Sequence, residues 1–387
     1  MGDSIWTFEA MDSLFFRDGK PMNAAESTWI ESVFPPSGQT LQGAVRAAVL
    51  QYLGADIKAF QEGKPCLRDG SSLKEELGDH QTIGQLNLTG PFVCENGQPL
   101  FPAPFDVVRN EFGNHELLKP APSPMESDLG PVRYPVASDM GFKPLAGSYV
   151  SAEMLRHFLN GKLEYVKPGC FSPLYAGEGG GGAPLTDREP KVGLARDNAS
   201  RINEEGMLFA IAPVRPRKGV SLALKISGLK SSYYPDEPFL QRLGGEGKMA
   251  RIKTHGVLSV PKPGSLTVDN GRIRFKIVLT TPGRMPQDGW LPADFQKYQT
   301  SDYQVWRGRE AGCSFDIISA CLGKSLKIGG WDMAAKQSRP LINYVPAGSV
   351  YFCEANADQK EAILGLHNKK TGTCTQYGCG HMMIGTW

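Results

Sequence analysis

The 387-residue sequence lacks an excess of charge: 42 Lys and Arg face 40 Asp and Glu, a net of +2. Composition therefore does not mark a nucleic-acid binder, and any RNA surface must come from basic residues gathered on one face. Long apolar runs are also missing. No stretch nears the roughly 18 apolar residues of a membrane span. The opening MGDSIWTFEAMD has neither the basic start nor the apolar run of a signal peptide, and Trp6 breaks a myristoylation pattern. The expectation is a cytoplasmic protein with no membrane contact. The eight cysteines (66, 94, 170, 313, 321, 353, 374 and 379) contain no CxxC pair. Buried thiols acting as small apolar groups fit better than a disulfide framework. Walker loop, dinucleotide fingerprint, GxSxG elbow, HExxH helix and the RNP1 signature are all absent.

Gly and Pro are abundant, 45 and 29 residues, which marks many turns between short elements. Strands and loops should outweigh helix. Ile5 to Arg17 is aromatic-rich and ends at Asp18-Gly19, so it reads as a strand. Leu41, Val45, Val49 and Leu53 recur at helical spacing, which predicts an amphipathic helix over 39–53 with Ser37 as N-cap. Asn96-Gly97 predicts a tight hairpin. Residues 109–190 turn polar and rich in Pro and Gly, with one short helix near 151–160 and a loop at Gly179–Gly182. Strands are expected at 206–214, 220–226, 249–257, 272–280, 313–320, 349–354 and 382–384. Helices are expected at 237–243 and at 357–366, with helical or turn material near 290–298.

The order repeats: strand, helix, two strands, helix, Gly-rich turn, strand. This is the β-α-β-β-α-β order of the ferredoxin-like (RRM-like) fold. The expectation is an α+β protein of two such domains, 1–262 and 270–387. The first carries a large insertion at about 109–190, and the boundary is the Pro/Gly-rich stretch 261–271.

Three features could meet RNA. Ser37, Gly38 and Gln39 open the first helix, whose N–H groups and partial positive charge suit a phosphate, and Arg46 lies one to two turns further in. A capped core helix with Arg46 in a surface pair is the other reading. The turns LGGEGK (Gly244, Gly245, Gly247, Lys248) and YGCGHM (Gly378, Gly380, His381) could each form an anion nest, or merely cap helices. Arg196 and Arg201 sit on a segment that could form a protruding hairpin or a solvated loop. His381 and His255 are the histidines nearest these turns, yet neither has an identifiable catalytic partner. Cys374, Cys379 and His381 have no fourth metal ligand nearby, so no metal, cofactor or catalytic residue is assigned.

The units LFFRDGKP, FPPSGQTLQGAVRAAVL, GPFVCENGQPLFPAPFDVV, LGGEGK and YGCGHM resemble, in order and spacing, the RAMP protein that is the third subunit of type III-B (Cmr) CRISPR complexes. The likeness is densest in 5–55, 89–108 and 192–256. It implies a non-catalytic subunit that holds the 5′ handle of the guide RNA. The large polymerase/cyclase-type subunit and backbone RAMP subunits are the implied neighbours, and target RNA is met only indirectly. It places handle contacts at Ser37, Gly38, Gln39, Arg46, Arg196, Arg201, Gly244, Gly245, Gly247, Lys248, Gly378, Gly380 and His381. The low net charge suits one wall of a shared groove, with weak, steeply salt-dependent RNA binding by the isolated chain. The competing expectations are a metal-independent RAMP endonuclease that processes repeat RNA, and a protein-interaction subunit with no RNA contact.

Overall fold

The computed structural model describes residues 2–17, 29–79, 82–179, 181–196, 199–200, 203–254, 256–332 and 337–387. They are mostly strand, with a few short helices, and form two compact units. Unit 1 comprises 1–97, 185–258 and 327–342; unit 2 comprises 98–184, 259–326 and 343–387.

Unit 1 is built on an antiparallel sheet. Its strands are β1 (Ser4–Ala10), β2 (Asn87–Glu95), β5 (Val220–Ser227), β6 (Phe239–Arg242) and β7 (Met249–Lys253), in the order β2-β5-β1-β7-β6. β1 alternates, with Ser4, Trp6 and Phe8 buried and Ile5 and Thr7 half-buried. Period two sends one set of side chains to each face. Helix α1 (Gly38–Tyr52) packs on β2 and β6 through a stripe that includes Leu41, Val45, Ala48 and Val49. Leu41, Val45 and Val49 each stabilise the fold by about 1.5–3 kcal/mol when fully buried. The Ser37 hydroxyl accepts from the Thr40 amide, which is the expected cap. A separate antiparallel hairpin, β3 (Lys191–Arg196) with β4 (Asn203–Ala212), follows the insertion.

Unit 2 has its own antiparallel sheet of β8 (Arg272–Leu279), β9 (Gln304–Glu310), β10 (Cys313–Cys321), β11 (Val350–Asn356) and β12 (Met382–Gly385). The order is β12-β8-β11-β10-β9. Ile273, Phe275, Ile277 and Leu279 from β8 join Phe315, Ile317, Tyr351 and Ile384 in one core. Two helices belong to this unit, α2 (Ala152–Leu159), capped by Ser151, and the short α3 (Lys360–Leu364). Inside it, Lys276 and Asp106 form an ion pair with each side chain only 1% exposed.

One expected helix is absent. The 237–243 segment is strand β6, paired with β7. Pro238 and Gly244, at φ +82°, bracket only five residues, and pairing with β7 decides their conformation. The 290–298 region, expected as helix or turn, holds a turn with Asp294 at φ +65° followed by the edge strand Gln296–Gln299. The Asn-Gly signal holds: Asn96 and Gly97 have φ of 50° and 79° between β2 and Gln98–Pro102. Among the described residues no helix is long and apolar enough to cross a membrane.

Candidate functional site

In unit 1 the chain leaving β1 organises two of the expected RNA-facing elements. Phe15 and Gly244 form a bridge, and the Gly245 amide donates to the Phe15 carbonyl at 2.8 Å. A Cβ on Gly244 would lie 2.3 Å from that carbonyl and 3.0 Å from the Phe16 ring, at φ +82°. Glycine is therefore required by backbone approach to the protein's own strand. The Phe16 ring in turn meets Phe34, centroids 6.5 Å apart, three residues before Ser37. The Gly244–Lys248 turn and the start of α1 thus share the Phe15-Phe16 support.

The face of each element away from that support is open. Gly244, Gly245 and Gly247 are exposed, and a Cβ on Gly247 would meet nothing within 4 Å. At α1, Thr40 and Leu41 donate back to Ser37, while the Gly38 and Gln39 amides have no partner among the described residues. The first turn carries no acidic side chain to oppose an anion. Gly38 itself is buried, while Ser37 and Gln39 are half-buried.

The cations here are largely neutralised. Lys248 Nζ lies 2.8 Å from Ser13 Oγ and 3.6 Å from Asp12 Oδ2. Arg215 joins Asp12 to Glu189, and its guanidinium holds both carboxyls below the usual carboxylate range. Arg217 makes a two-point contact with Asp187 at 2.9 Å on each arm. Asp12 and Glu189 were not singled out from sequence. The only signal for them was the near-equality of acidic and basic counts.

Arg46 does not face a phosphate site. Its guanidinium donates to the carbonyls of Leu77 (2.6 Å), Asp79 (2.9 Å) and Thr82 (3.0 Å). Those bonds clamp a loop that Gly78, at φ +74°, folds back on itself. The expected phosphate contact gives way to a structural one, because charged hydrogen bonds to carbonyls already use the donor fork.

The second glycine turn is closed. His381 is 2% exposed; its Nδ1 lies 2.6 Å from Thr280 Oγ1 and its amide donates to Thr281 Oγ1. Burial pushes its pKa down to about 3. Gly378 is buried and its carbonyl accepts from Thr281 Oγ1; Gly380 is buried beneath Thr371. Gly378, Gly380 and His381 therefore pack the unit 2 core edge and do not line a surface, which corrects the expectation for all three. A buried, weakly basic ring is also unfit for proton abstraction at neutral pH. Cys379 is a protonated thiol pushed up to about 12 by burial, and Cys374 contacts Arg284 at 3.3 Å. Among the described residues no cluster of three or more His, Cys, Asp or Glu could hold a metal.

Of the two readings of the segment around Arg196, hairpin or solvated loop, the backbone follows the first, with Arg196 paired to Asn203 in the β3–β4 ladder. Arg201 and His255 lie outside the described residues.

Several solved structures are similar to this chain at low identity. A cryo-EM structure of Type III-B Cmr-beta bound to cognate target RNA and AMPPnP shares 14% identity over 91% of this chain and 86% of that one, with a TM-score of 0.47. Cmr-beta bound to cognate target RNA shares 13% over 99% and 96%, with a TM-score of 0.47. A crystal structure of the Csm3-Csm4 subcomplex in the type III-A CRISPR-Cas interference complex shares 11% over 90% and 92%, with a TM-score of 0.37. Comparison with curated proteins finds no match. The family model of the CRISPR-associated protein Cas_Cmr3 spans residues 6–387, so this chain belongs to that family, the third-subunit family of the type III-B Cmr complex that its motifs resemble.

Proposed function

We propose that this chain is a non-catalytic subunit of a type III-B RNA-guided complex in antiviral defence, that it grips the 5′ handle of the guide RNA, and that it works in the cytoplasm without a cofactor. The large polymerase/cyclase-type subunit and the backbone RAMP subunits are its neighbours, and it meets target RNA only through them. Ser37, Gly38 and Gln39 with Gly244, Gly245, Gly247 and Lys248 form the contact surface, and Arg196 and Arg201 of the β3–β4 hairpin extend it. Arg46 shapes the adjoining loop.

The observation that carries this reading is the shared support of the two open turns on Phe15 and Phe16. Backbone amides at a helix start and in a glycine turn recognise phosphates without added charge. That suits a protein whose nearby arginines and lysines are matched by carboxylates.

The fold in this reading is two ferredoxin-like RAMP domains within 1–262 and 270–387. In both sheets the fourth strand lies beside the first, the first beside the third, and the third beside the second: β7-β1-β5-β2 and β12-β8-β11-β10. Each has lost one of its two helices. The first keeps α1 and carries β6 where its second helix would be; the second keeps only α3.

The test is photocrosslinking of the assembled complex, with a photoreactive base in the guide handle and peptide mapping of the adducts. Adducts within 37–46 and 244–251 are expected. Adducts confined to neighbouring subunits would leave this chain as a protein scaffold and sink the proposal.

A further inference from the structure

The polar insertion, which carries no part of the handle surface above, holds a cleft of about 560 Å³ in unit 2. It forms at one end of a small antiparallel sheet in which Val107–Arg109 is flanked by His115–Leu117 and Lys143–Pro144. Arg109 is paired in register with both His115 and Lys143. The turn after Arg109 is fixed by Asn110, whose amide and side-chain oxygen each bond Asn114, at 3.0 and 2.9 Å.

Arg109 is the unusual group. Its Nε is buried and has no hydrogen-bond partner, and among the described residues the side chain makes no ion pair. Buried polar atoms are nearly always satisfied, so an orphaned guanidinium N–H signals a missing partner. Its guanidinium is walled by glycine. A Cβ on Gly113 would lie 3.5 Å from Nη2, and one on Gly181 would lie 3.8 Å from Nη1. Gly113 and Gly181 thus leave those two sides of the guanidinium free of side chains. Lys143 also lines the cleft without an ion pair. Glu111 is the single carboxylate there. Beside the cleft stand two of the most exposed apolar side chains of the protein, Phe112 at 82% and Met140 at 93%.

We infer that this cleft binds single-stranded RNA, with backbone phosphates held by Arg109 and Lys143 and a base stacked on Phe112. Two unpaired cations and a glycine wall suit a phosphate, and an exposed aromatic at the rim suits a base, since every base has a stacking face. A bidentate arginine supplies geometry that a lysine alone does not. The inference extends the proposed RNA-binding role to a surface separate from the handle turns.

The experiment is fluorescence anisotropy of a labelled oligouridylate with the full chain across a salt series. The Arg109→Ala/Lys143→Ala double variant should bind about tenfold or more weaker, with a log affinity–log salt slope shallower by about 1.4 for two lost phosphate contacts. Phe112→Ala, a surface change that leaves folding intact, should weaken binding about fivefold or more at an unchanged salt slope. Glu111→Gln should tighten it. Unchanged affinity and slope in the double variant would overturn the inference, as would absence of RNA binding by the unaltered chain at low salt. Displacement of RNA by an oligoglutamate peptide of higher affinity would reassign the cleft to an acidic protein segment and overturn it too. The handle reading is decided separately by the crosslinks at 37–46 and 244–251. Either result can therefore fail while the other stands.

Discussion

The turns Gly244–Lys248 and Gly378–His381 sit at matching places, each leading into the last strand of its sheet, β7 or β12. Both need glycine because a backbone passes too close for a Cβ: the Phe15 carbonyl at Gly244, the Thr371 carbonyl at Gly380. They differ in what lies on the other side. The first opens to solvent at Gly247; the second is roofed by Thr280, Thr281 and Thr371, with its histidine neutral in the core. A glycine pattern thus reports close backbone approach, and says nothing about whether the approaching backbone belongs to a ligand or to the protein. Charge follows the same division. Around the open turn the ions are at the surface, whereas unit 2 buries Lys276 against Asp106.

Substitutions that exchange the properties of the two regions test this contrast. Gly380→Ala places a Cβ 2.0 Å from the Thr371 carbonyl at φ +71°. It should cost more than about 4 kcal/mol, the range reserved for severe defects, and chemical denaturation or loss of soluble protein would report it. Gly247→Ala, with open space around it, should cost only about 1–2 kcal/mol from its left-handed backbone. Equal costs would break the comparison. Asp106→Ala should cost about 3–5 kcal/mol, because it leaves Lys276 buried without its partner. His381 gives a pH signature. Its folded pKa of about 3 lies below its unfolded value, so the unfolded chain takes up a proton first as pH falls. Stability should drop by about 1.4 kcal/mol per pH unit as pH falls from roughly 6.5 to about 3, and urea midpoints for His381→Asn should lack that share of the slope. Lys248→Ala, at the partly exposed ion cluster, should change stability by no more than about 1 kcal/mol. Its effect should appear in RNA affinity, and an unchanged affinity would favour a protein-interaction role.

Local signals were legible where a short stretch decides its own conformation. The Ser37 cap and the apolar spacing of α1, the short helix near 151–160, and Asn96-Gly97 all act within a few residues, and the structure has each. The strand order of both sheets was legible only as a succession of elements. The helix expected at 237–243 failed because Phe239 and Gln241 alternate against β7, and a strand so short is decided by its neighbour rather than by propensity. The site was harder. Arg46 is claimed by carbonyls 31 to 36 residues away, and His381 by Thr280 and Thr281 about a hundred residues away. Nothing in the spacing of either residue announces such partners. Arg109 carried no motif at all; its meaning comes from the absence of a bonding partner, which only coordinates reveal.

The Lys276–Asp106 pair also bears on how the protein is made. A ribosome releases Asp106 well before it reaches Lys276, and 170 residues separate them. Unit 2 draws on 98–184, 259–326 and 343–387, and unit 1 on a late segment, 327–342. A nascent chain halted near residue 258 would hold a carboxylate shaped for burial with no ammonium to meet it. Chains with such interleaved segments cannot complete folding from one end to the other, and the waiting surfaces are prone to wrong association.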